Sequence, residues 1–85
     1  MSPLMVRQVS MVKPDKTLDV QGVAGERVCS IAQQTLGTMA SGQVLKLITT
    51  ERNAQACIAG LCRERGYTLL DQARDGSLYF SVIRR

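Results

Sequence analysis

Leu18-Asp19-Val20-Gln21-Gly22-Val23-Ala24-Gly25-Glu26-Arg27-Val28 carries a short extended run into a glycine-punctuated turn, and the turn opens directly into an amphipathic helix. Leu18 and Val20 share one face of the extended run, and Gly22 and Gly25 supply the conformational freedom the turn needs. Such a junction presents free backbone N–H groups and the positive end of the helix dipole. It is a favourable seat for a reactive thiolate or a bound anion. Here it holds Gly25 and Glu26, neither of which is a nucleophile.

Downstream, the spacing predicts a first helix over Glu26 to Thr38, with Cys29, Ala32, Leu36 and Met39 as its apolar stripe and Val28 and Ile31 widening it. Ala40-Ser41-Gly42 ends that helix. Gln43 to Thr49 is apolar on both faces, the pattern of a central strand, with Lys46 reaching solvent. Thr50 is the expected N-cap of a second helix, Glu51 to Arg65, which buries Ala54, Ile58, Leu61 and Cys62, carries Cys57 on its flank and stops at Gly66. Tyr67 to Gln72 and Leu78 to Arg84 form a hairpin turning at Arg74-Asp75-Gly76. The order βαβαββ, with both helices on one face of a four-stranded mixed sheet, gives a two-layer α/β (α+β) sandwich over residues 16–85. Residues 1–15 read as an N-terminal arm, in which Met5, Val6, Val9, Met11 and Val12 either stay flexible or add an edge strand between Pro3 and Pro14.

Composition sets the limits. The 85 residues allow one modest core, mainly aliphatic because Tyr67, Tyr79 and Phe80 are the only aromatics. No apolar run approaches the about 20 residues of a membrane span, and the start lacks signal-peptide character, so a cytoplasmic protein without a membrane partner is the expectation. Histidine is absent, which removes the commonest general base and, with no Cys-x-x-Cys pair, a structural zinc site; no metal or cofactor is expected. Three cysteines without secretory features do not predict a disulfide framework. The net charge of +4 is spread along the chain, so a nucleic-acid partner has weak support and a solvated surface is the better reading.

From Lys16 to the end the chain resembles the TusA-like (SirA-like) family of small sulfur carriers. The likeness rests on Leu18-Asp19 followed by Gly22, Gly42 before the strand at Val44 to Thr49, Ile58 and Cys62, Gly66 with Leu69 and Leu70, and the closing Leu78-Tyr79-Phe80-Ser81-Val82-Ile83-Arg84. It implies a fold like the C-terminal domain of translation initiation factor three. It also implies a partner from a sulfur-transfer or redox pathway, or a TusA-like homologue. Family members carry Cys-Pro-x-Pro after the glycine turn, and that cysteine takes a persulfide sulfur from a cysteine desulfurase or another donor and passes it on. Here the stretch is Gly25-Glu26-Arg27-Val28. The cysteine and both prolines are missing, and Glu26 repels a nearby thiolate.

The resemblance with its missing thiol implies a binding or regulatory relative that does not itself carry sulfur, with Gly22, Gly25, Glu26, Arg27 and Arg52 as the docking surface. The alternative is an active sulfurtransferase with a relocated persulfide, on Cys57 first or Cys29 second. A basic nucleic-acid-binding or regulatory module is the remaining reading. Cys29 and Cys62 fall on buried stripes and read as core filler, while Cys57, at a usually polar family position, reads as partly buried and inert. Cys57 and Cys62 diverge by about 140° on one helix and do not pair locally.

Overall fold

The computed structural model describes residues 13–85. Strand β1 (Lys16–Asp19) leads into helix α1 (Gly25–Thr38), strand β2 (Val44–Thr49), helix α2 (Arg52–Arg65) and the hairpin β3 (Thr68–Asp75) and β4 (Leu78–Arg84). This is the expected βαβαββ order. The sheet runs β1-β2-β4-β3. β2 therefore has a neighbour on each side, as its two apolar faces require. β1 pairs with β2 in parallel, Leu18 opposite Leu47. β4 runs antiparallel to both β2 and β3, with Ile83 opposite Leu45 on one side and Leu69 on the other.

β1, β2 and β3 thus point the same way, and each helix is the return leg of a crossover between two of them. Both helices pack on one face, so they run parallel to each other and begin at the same end of the sheet, beyond the carboxyl ends of β1 and β2. The apolar periodicity explains the packing. Val28, Ala32 and Leu36 of α1 and Ala54, Ile58, Leu61 and Cys62 of α2 close over Leu45, Leu47 and Ile83 in one buried cluster. Each fully buried Leu, Ile or Val there contributes about 1.5–3 kcal/mol.

The stripe of α1 centres on Val28 rather than Cys29. Val28 has no exposed surface, whereas Cys29 is half-buried, because the row Val28, Ala32, Leu36 faces the sheet and the next residue turns toward α2. The start of α2 also departs from expectation. Glu51, not Thr50, is the N-cap, and it makes no side-chain capping bond. The Thr49 hydroxyl accepts from the Glu51 amide at 3.0 Å, and the Thr50 hydroxyl is turned to the neighbouring loop. At the other end of α2, Gly66 ends the helix in the left-handed conformation, φ 76°, where a Cβ is costly.

β3 extends three residues beyond its expected end, and the hairpin turns at Gly76 and Ser77. A bulge between Leu69 and Asp71 re-registers it against β4. Lys46 is half-buried and lies over the Phe80 ring at 5.3 Å instead of standing free in solvent. α2 is also tied to the hairpin by polar bonds. Gln55 Nε2 donates to the Ala73 carbonyl at 3.1 Å, and Gln72 Nε2 donates to the Gln55 carbonyl at 2.9 Å and to the Ser81 hydroxyl at 3.2 Å. The latter bond satisfies a fully buried side chain. Of the N-terminal arm, Asp15 is fastened to β2 by a 2.8 Å bond in each direction with Val44. The candidate edge strand at Met5 to Val12 lies outside the described residues.

Candidate functional site at the paired helix starts

The turn between β1 and α1 is built residue by residue. Asp19 Oδ1 accepts from the Gln21 amide at 3.2 Å, the local bond that starts an Asx turn. Gly22 follows with φ 81°, a conformation that Cβ-bearing residues avoid. Its amide donates to the Thr50 hydroxyl at 3.0 Å, joining the turn before α1 to the turn before α2. Ala24 then offers α1 no side-chain cap, so the helix start remains an open positive dipole end.

Gly25 is the first residue of α1. A Cβ placed on it meets the Ala54 amide nitrogen and the Glu51 Cβ at 3.7 Å and Glu51 Oε1 at 3.8 Å. These are ordinary contacts, so the backbone at this position accepts a Cβ without displacement. What differs from a thiolate seat is electrostatic: the Glu51 carboxylate stands beside it, and Glu26 follows in the same first turn. Both acids favour the helix dipole and disfavour a second anion. Gly22, Glu26, Arg27 and Arg52 are exposed, and with Gly25 they occupy the end of the molecule where both helices begin. Glu51 and Thr50 belong to the same place and were missed from sequence, because the parallel placement of α1 beside α2 brings them there.

The cysteines correct two expectations. Cys29 and Cys57 are joined by a disulfide across the α1–α2 seam, with Cα atoms 6.1 Å apart. Cys57 is exposed rather than partly buried. Composition could not reveal the pairing, since the two residues are 28 apart in sequence. The usable signal is depth: Cys29 is the fifth residue of α1 and Cys57 the sixth of α2. Two parallel helices starting level place such residues side by side. Cys62 is free and buried, and burial pushes its thiol pKa up. Among the described residues no group of three or more His, Cys, Asp or Glu side chains is arranged to hold a metal ion, and no helix is long and apolar enough to cross a membrane.

No protein-family model matches the chain. The sulfur carrier protein TusA of Pseudomonas putida, in strains GB-1 and F1, is 29% identical over 72 residues, covering 85% of this chain and 90% of the relative. The crystal structure of a SirA-like protein from Desulfitobacterium hafniense superposes with a TM-score of 0.72 at 15% identity, over 81% of this chain and 95% of that one. Parallel helices starting level on one face of a mixed four-stranded sheet, with a glycine turn opening the first, define a two-layer α/β protein of the SirA-like fold. Over most of its length the chain is similar to sulfur carriers of the TusA-like (SirA-like) kind.

Proposed function

We propose that this protein serves sulfur trafficking as a binding or regulatory relative, docking a protein of a sulfur-transfer or redox pathway through the face made by the starts of α1 and α2. The observation that carries this reading is Gly25: the family's thiol position accepts a Cβ yet holds no thiol, the Glu51 carboxylate stands beside it and Glu26 follows in the same first turn. Of the three cysteines, two are bonded to each other and the third is buried. The exposed residues Gly22, Glu26, Arg27 and Arg52 border this face and offer a mixed-charge contact surface. The exposure of Cys57 supports a second reading, in which the reduced protein carries persulfide there.

Intact-protein mass spectrometry separates the two. The reduced protein is incubated with a cysteine desulfurase and cysteine, with an active carrier in the same tube. The binding role predicts no added sulfur on this chain while the carrier gains about 32 Da. A gain that disappears in Cys57→Ser selects the relocated carrier and overturns the binding-only role.

A further inference from the structure

We propose that the Cys29–Cys57 pair is a thiol–disulfide exchange site for a small zwitterionic thiol of the cysteine or glutathione kind, with Cys57 the sulfur attacked and Cys29 the leaving thiolate. The bond lies in an open groove of about 400 Å³ running along the helix seam, lined beyond the cysteines by Gln33, Gly60, Leu61, Arg63 and Glu64. The two sulfurs are not equivalent: Cys57 is exposed, while Cys29 is half-buried and packs against the core. Access decides which sulfur of a disulfide is attacked. One turn beyond Cys57, Gly60 carries no side chain, and even a Cβ there would meet nothing within 4 Å. The approach to Cys57 is therefore clear. Arg63 and Glu64 line the same groove and supply one charge of each sign, suited to the carboxylate and the ammonium of a zwitterion.

Opening the bond does not require unfolding. The seam is also held by Val28, Ala32, Ala54, Ile58 and Leu61, all in the buried cluster. In the first step the incoming thiolate attacks Cys57 Sγ. A new S–S bond forms between them, the Cys57–Cys29 bond breaks, and its electron pair leaves on Cys29 as a thiolate. In the second step another thiolate attacks the outer sulfur of the mixed disulfide, releasing the small-molecule disulfide and the Cys57 thiolate. Two thiols have lost two electrons and the cysteine pair has gained them. The reaction needs neither a partner protein nor a persulfide, so it stands or falls separately from the docking role.

The test uses the oxidised full-length chain. About 10 mM reduced glutathione is added, free thiols are quenched at intervals and intact masses are read, with circular dichroism following the fold. The bond is expected to open within minutes in the folded protein, through a transient glutathione adduct that maps to Cys57. A bond that persists for hours and opens only in denaturant would make it a structural staple and overturn the proposal. Direction is read from Cys29→Ser and Cys57→Ser treated with oxidised glutathione: the former is expected to form its adduct about tenfold faster. Faster reaction at Cys29 would overturn the assigned roles. For recognition, glutathione is compared with uncharged 2-mercaptoethanol per thiolate. A preference of about two- to fivefold that shrinks in Arg63→Ala is expected, and equal rates would overturn the zwitterion assignment.

Discussion

The amide of Gly22 donates to the hydroxyl of Thr50 at 3.0 Å, so the two turns that launch α1 and α2 are one hydrogen-bonded unit. The bond ties the two helix starts to each other. Thr50→Val keeps the shape and removes the acceptor. We expect a loss of about 1 kcal/mol, seen as a melting temperature lower by several degrees. Amide hydrogen exchange at Gly22 should accelerate. Unchanged exchange there would show that the turns hold themselves independently.

Gly25→Cys should fold with nearly native stability, because the added Cβ makes only ordinary contacts at 3.7–3.8 Å. Its thiol gains the helix dipole but faces Glu51. Removing that charge in the double variant Gly25→Cys/Glu51→Gln favours the thiolate and lowers its pKa. The check is the pH dependence of alkylation at residue 25: the midpoint should lie lower in the double variant. Identical midpoints would remove Glu51 from the electrostatics of this seat.

The disulfide closes a loop between positions 28 residues apart, for which chain entropy gives about 3–4 kcal/mol. For a domain of this size that corresponds to a fall in melting temperature of about 12–32 °C on reduction. Cys29→Ala should melt at a lower temperature than the oxidised protein and be indifferent to reductant. Thermal scans with and without a dithiol reductant measure both.

Cys62 is buried, and burial raises its pKa. The folded state therefore favours the neutral thiol, while the unfolded chain ionises at its ordinary value, about 8.5. The stability this thiol contributes is complete below that pH and declines as pH rises from there through the folded value. Urea titrations across this alkaline range should show the decline, and Cys62→Ala should flatten it despite its lower overall stability from the cavity. In the native protein Cys62 should resist alkylation until denaturant is added.

Much of the molecule was legible before any tertiary information. Ala54, Ile58, Leu61 and Cys62 recur at helical spacing and are the buried residues of α2. Val44 to Thr49, apolar on both sides, is flanked by β1 and β4. Gly66 ends α2 in the conformation that only glycine takes cheaply. The first stripe was displaced by one residue, because Val28 and Cys29 are both apolar and periodicity alone does not say which of them faces the sheet. Thr50 matched an N-cap preference and lost that role to Glu51 once its hydroxyl had a partner in the neighbouring turn.

The sequence by itself determined the element order, the two-layer class, the family likeness and the absence of a thiol at residue 25, since each depends on local periodicity, turn chemistry or residue identity. Only the tertiary structure decided that Glu51 stands beside Gly25 and that Cys29 meets Cys57. Both follow from two crossovers returning on the same face, which sets two helices parallel and level. That alignment is a long-range property of the sheet, and no window of sequence around either cysteine contains it.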